Sequence, residues 1–186
     1  MKKSITLLLV STSLFFAKNN DSAQQIIDKK IKEATIKILQ NNEQKSLKMQ
    51  ELFAQLEKQI DNLDTKELVK NFSKIQNILK NTKIDPMITF WYSDYKDNTI
   101  YMHNLVEDDE KMRENFLDKK FKNMMKEKLE YDQNRRFCNH DKVMNKILDN
   151  NGSLIYKYYF KSNQKPILDI ITNKESCKKL GFRKKD

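Results

Sequence analysis

Four side chains in this sequence are the first to consider for metal or nucleophilic chemistry: Cys138, Cys177, His103 and His140, the whole complement of cysteine and histidine. Two thiolates and two imidazoles would make a nominal zinc set. Structural zinc sites pair their ligands closely, as C-x₂₋₄-C and H-x₃₋₅-H, whereas here the cysteines stand about 39 residues apart and Cys138-x-His140 is the sole close pair. A Cys138 nucleophile with His140 or His103 as base has no supporting local signature, and there is no C-x-x-C. The remaining reading is a disulfide, which an exported protein favours and a cytosolic one does not. Compartment therefore decides the chemistry of these sulfurs.

Residues 1–17, MKKSITLLLVSTSLFFA, place Lys2 and Lys3 before an apolar run of about 14 residues. That is the length of a signal-peptide core and falls short of the ~18–20 residues that span a bilayer. Export is expected, to the periplasm or beyond, with residues 4–17 as an inner-membrane anchor in the alternative where the segment is not cleaved. Cutting after Ala17 puts Phe15 where a small residue is preferred, and Ser22-Ala23 is an imperfect second site. No cysteine follows the run, which argues against a lipoprotein. A Cys138–Cys177 bond would close its long loop for ~4 kcal/mol in the chain-entropy model.

Other groups invite chemistry less strongly. Asp108, Asp109 and Glu110 offer carboxylates to a divalent ion, but the same residues suit the positive end of a helix. Trp91, Tyr92, Tyr156, Tyr158 and Tyr159 would line an aromatic surface for a peptide or glycan, against the plainer reading of cross-strand pairs on a half-buried sheet. Gly152 and Gly181 are the only glycines, so no glycine-rich phosphate loop exists. No catalytic residue, metal site or cofactor is expected. The charge of +10 comes from 32 lysines and 4 arginines. Arginine is the residue that reads phosphates and bases bidentately, so the charge is not taken as a nucleic-acid footprint. Peripheral contact with a membrane surface through lysine is a further reading.

The elements that must position these groups divide the chain at Pro86. From residue 21 to 83 the pattern is helical, with Ile27, Ile31, Ala34 and Ile38 forming one apolar run and Met49, Phe53, Leu56, Ile60 and Leu63 another. The seam turns polar at residues 40–45, so a helical hairpin and a coiled coil both remain open. Asp64 and Glu67 predict a capping box for a helix whose face is Leu68, Phe72, Ile75 and Leu79. Beyond Asp85-Pro86, residues 88–95 and 99–106 predict a hairpin turning at Lys96-Asp97-Asn98. Phe116, Leu117, Phe121, Met124, Met125 and Leu129 carry a helical face, and a short helix over about 141–148 buries Val143, Met144, Ile147 and Leu148. Asn151-Gly152 is read as its left-handed stop. In residues 154–161, Leu154, Tyr156, Tyr158 and Phe160 alternate with Ile155, Lys157, Tyr159 and Lys161, and a last strand covers 167–172.

The expected fold is therefore α+β: a helical N-terminal arm, then a small antiparallel sheet in the order β-β-α-α-β-β, closed by one disulfide. The segments are 1–17 (signal or anchor), 21–83 (helical hairpin or coiled-coil-like), 86–177 (disulfide-bonded domain) and 178–186 (a basic, solvated tail).

Pro86-Met87, Tyr101, Cys138, Leu148, Gly152, Tyr156, Tyr158, Ile170 and Cys177 together resemble a pattern in small exported proteobacterial proteins of uncharacterised function, with a C-terminal Cys…Gly-x-x-x-Tyr-x-Tyr…Cys domain. The resemblance covers roughly the last hundred residues and implies an exported, disulfide-bonded domain. It supplies no activity. The sequence leads to a non-enzymatic cell-envelope protein, a structural or protein-interaction accessory whose helical arm contacts a partner or another copy of itself. The competing expectation is a periplasmic enzyme or ligand-binding protein that uses the aromatic face of the sheet as a floor.

Overall fold

The computed structural model describes residues 43–139 and 142–182. The signal segment, the run from Ile27 to Ile38 and His140 lie outside them. Helix α1 is described over 43–59 and is followed by a 3-10 turn, Ile60–Asn62. Helix α2, Thr65–Gln76, starts at the expected capping box: Asp64 Oδ1 accepts from the Glu67 N–H at 2.7 Å, and the Glu67 carboxylate accepts from the Asp64 N–H at 3.3 Å. Met49 and Leu56 are buried, Phe53, Ile60 and Leu63 pack against the same core, and the Phe53 and Phe72 rings meet edge to face at 5.1 Å. The second heptad run is thus used inside the fold.

Helix α2 stops before the expected boundary near Lys83. The Asn77 side chain donates to the Ser93 carbonyl and accepts from the Ser93 N–H, both at 2.7 Å, so it pairs with strand backbone as another strand would. Asn81 then turns with φ 57°, and strand β1, Thr82–Asp85, runs back beside β2.

Strands β2 (Ile88–Lys96) and β3 (Thr99–Val106) form the expected hairpin, with Asp97 at φ 52° in its turn. The chain then crosses over through three helices, α3 (Glu110–Leu117), α4 (Lys119–Asn139) and α5 (Lys142–Asp149). It returns as strand β4, Ser153–Phe160, which pairs with β5, Pro166–Thr172. The sheet order is β1-β2-β3-β4-β5, antiparallel throughout except β3–β4. A long helical crossover brings the chain back in the same direction, so that central pair is parallel. The helices gather on one face of the sheet, giving two layers. The α+β class holds, with β1 and a third crossover helix added to the expected order.

Two further details differ from expectation. The left-handed residue after α5 is Asn151, at φ 59°. Gly152 is required for space instead: a Cβ there would stand 2.5 Å from Ile147 Cγ2 and 2.9 Å from the Asn98 carbonyl oxygen. The start of the expected solvated tail, 178–186, is structured: α6, Lys174–Lys179, which begins at an Asn173–Ser176 capping box, runs into it. Beyond it Phe182 packs against the core, its ring 5.3 Å from that of Tyr131.

Cys138, in the last turns of α4, is bonded to Cys177 in α6, with Cα atoms 5.8 Å apart and both residues buried. Beside the bond, fully buried Asn134 donates to the Glu130 carbonyl at 2.8 Å and accepts from the Ser176 hydroxyl at 2.7 Å. Bond and amide together fasten α6 to α4.

Candidate functional site

The strand register sorts the aromatic residues onto two faces. Tyr92 pairs with His103, which pairs with Lys157, so these three point away from the helices, and Tyr159 joins them two residues on. The alternation read in β4 puts Tyr156 and Tyr158 on the opposite, helix-covered side, where Tyr158 is buried. The five-residue aromatic surface is therefore corrected to Trp91, Tyr92 and Tyr159, joined by His103. Trp91 reaches this face because a bulge interrupts the pairing between Phe90 and Tyr92.

The open face is an ordered stack. The His103 ring lies 4.1 Å from Tyr92 and 5.7 Å from Tyr159, within 12° of parallel to both, and Trp91 meets each tyrosine edge to face. His103 Nε2 stands 3.3 Å from Asp94 Oδ1 and Nδ1 stands 3.1 Å from the Tyr159 hydroxyl. An ionised carboxylate only accepts, so Nε2 carries the proton and Nδ1 accepts from the phenol. Burial lowers the His103 pKa, against the raising effect of Asp94. Burial likewise raises the Tyr159 and Tyr92 phenols. An Asp-His-Tyr relay would need an activated phenol, and this one holds its proton more tightly than usual. The array orders the sheet.

The cysteines are bonded to each other beneath the helices while His103 sits on the far face, so the nominal zinc set is not brought together. The acidic trio has structural duties. Asp109 caps α3 through the Met112 N–H at 2.7 Å. Asp108 accepts from the Ser162 N–H at 2.9 Å, its hydroxyl at 2.7 Å and Arg113 at 2.6 Å. Burial would push the Asp108 carboxyl up, and these donors together hold it below the ordinary range.

On the helix side a second feature appears that the sequence reading missed. Between α3, α4 and the sheet lies an open apolar cleft with an interior volume of about 80 Å³. Met112 and Phe116 of α3 form one wall, Phe121, Met125 and Leu129 of α4 the other, and Val106, Tyr158 and Leu168 the floor. Its polar group is the Tyr158 phenol, already engaged by Gln133 Nε2 at 2.7 Å and pushed far up by burial. Met87, a lining residue, is 37% exposed; Leu117 and Met124, next in sequence to Phe116 and Met125, are 85% and 50% exposed.

The expected helical face is thus split. Asp118 breaks α3 from α4 with ψ 116°, and its carboxylate caps the new helix through the Lys120 and Phe121 N–H groups at 2.6 and 3.0 Å. The break resets the helical phase, so Leu117 and Met124 leave the shared face. Asp118 followed by two lysines and Phe121 was the signal that marks a new helix start.

No family model and no curated protein matches the chain. Among solved structures it is similar to a protein from Pseudomonas aeruginosa described as secreted, at 12% identity and TM-score 0.49, covering 61% of this chain and 92% of that one. It is also similar to the pilotin of the Vibrio vulnificus type 2 secretion system, at 11% identity and TM-score 0.44, covering 61% and 91%.

Proposed function

We propose that the chain is an exported cell-envelope accessory protein without catalytic activity, which binds an apolar segment of another envelope protein in the cleft between α3, α4 and the sheet. The observation that carries the reading is the cleft itself. It is lined by eleven residues of which Tyr158 alone bears a polar atom on its side chain besides thioether sulfur, and Met87 among them is exposed. Contiguous apolar surface of this kind mostly marks an interaction site. Export is supported by the N-terminal lysines and apolar run together with the buried Cys138–Cys177 bond. In the same reading the chain is kin to the small exported proteobacterial proteins it resembles, and residues 27–38 of the arm add a second contact to the partner. Among the described residues no helix is long and apolar enough to cross a membrane.

The test is in the living cell. A photo-activated cross-linking residue at Met124, beside the cleft, yields a discrete adduct, and Phe116→Glu in the same chain abolishes it. The same cross-linker at Tyr95, away from the cleft, yields none. An adduct from position 124 that survives Phe116→Glu in a folded chain contradicts the reading.

A further inference from the structure

We infer that the occupant of the cleft is an amphipathic helix with acidic residues flanking its apolar stripe. This rests on the protein-binding reading above and adds the conformation and charge of the partner segment.

Conformation follows from what the walls lack. Apart from the engaged Tyr158 phenol, the lining side chains offer carbon and sulfur and nothing to pair with a buried peptide group. A backbone entering there has to satisfy its own N–H and C=O groups, which a helix does and an extended strand does not. The shape agrees. Phe121, Met125 and Leu129 lie along one stripe of α4 at four-residue spacing, a track of about 12 Å that matches two turns of a helix with anchors at i, i+3 or i+4, and i+7. Helix α3, the opposite wall, has no buried residue although Met112 and Phe116 face the cleft. Eight residues without buried side chains make a marginal helix, and a partner helix seated beside it would complete its cover. Met87, Met112 and Met125 give the walls side chains that adapt to the ridges of another helix.

Charge follows from the rim. Lys122 and Lys126 are exposed one position beyond Phe121 and Met125, about 100° round α4 from the apolar track. Lys119 and Lys120 are exposed at the start of the same helix, and Glu127 is the one acidic residue among 119–128. A helix lying in the cleft places its flanking positions against these lysines, which favours glutamate or aspartate there.

The experiment uses the full exported chain and two fluorescent synthetic helices of about 18 residues, long enough to hold helical form. Both carry the same leucine stripe; one is flanked by glutamate and the other by lysine. The glutamate peptide is expected to bind at least about tenfold more tightly and to weaken as salt is raised. In Lys122→Glu/Lys126→Glu that preference disappears or reverses, while Met125→Ser weakens both peptides; circular dichroism confirms that each variant is folded. Equal affinity for the two peptides overturns the inference. So does binding to phosphatidylglycerol vesicles, but not to either peptide, that Met125→Ser abolishes, because the occupant is then a lipid surface. If neither peptide binds while the cross-link from position 124 still depends on Phe116, the helix fails and the protein-binding reading stands. If that dependence is also absent, both fall.

Discussion

Burial between Tyr92 and Tyr159 disfavours the charged form of His103 and lowers its pKa. Asp94 favours the charged form, Lys157 opposes it, Asp169 adds a weaker raising effect, and burial decides the direction downward. With the folded pKa below the unfolded value near ~6.5, the unfolded chain binds more protons in the window between them. Stability contributed here is complete above about pH 6.5 and is lost as pH falls through the folded value. Urea unfolding at neutral and mildly acidic pH should show wild type losing more stability than His103→Gln; His140 is common to both, so the difference isolates His103. Gly152→Ala should destabilise by about 1–3 kcal/mol, because a methyl group would meet Ile147 and the Asn98 carbonyl, and a thermal melt reads this directly. At this scale residue types were legible in the sequence and their companions were not. The period-two alternation of β4 already separated Tyr159 from Tyr156 and Tyr158. Which of them Trp91 and His103 would join depended on the register between strands and on the bulge at Trp91, which no local pattern encodes.

Helix α3 is the element on which the proposed binding turns. Its caps are sound, Asp109 at one end and Asp108 tying the start to Ser162, yet its side chains are all at least partly exposed. In hydrogen exchange its amides should open more readily than those of α5, four of whose eight side chains are buried. Addition of the glutamate-flanked peptide should slow exchange in α3 and leave α5 unchanged; protection confined to β2 and β4 would assign binding to the other face. Long periodic elements were legible: the capping box at Asp64, the β2–β3 hairpin and the buried face of α5 all form as the residues indicate. The elements missed were short. Strand β1 has four residues and α6 has six, below the span over which a period can be read, and tertiary partners such as Asn77 on Ser93 fix them. The apolar face across residues 116–129 was visible as composition, but its opening into a cleft arises from the break at Asp118.

At the scale of the whole molecule, one covalent bond joins α4, in the middle of the crossover, to the helix after the last strand. Losing it should cost about 2–5 kcal/mol, so Cys138→Ser and Cys177→Ser should each melt well below wild type. The double variant should be little worse than either alone, since all three remove one interaction. Reductant should lower the wild-type melt and leave the variants unchanged. The fold so fastened presents a polar, aromatic sheet face on one side and an apolar cleft beside the lysines of α4 on the other. The central claim is that the cleft receives the partner, and methyl NMR of methionine tests it most directly. Met87, Met112 and Met125 line the cleft, whereas Met49, Met102 and Met144 are buried in the other apolar cluster. Titrating the full chain with the glutamate-flanked helix should shift and broaden the first three methyl resonances and leave the last three in place. Binding that leaves Met87, Met112 and Met125 unmoved would contradict the account.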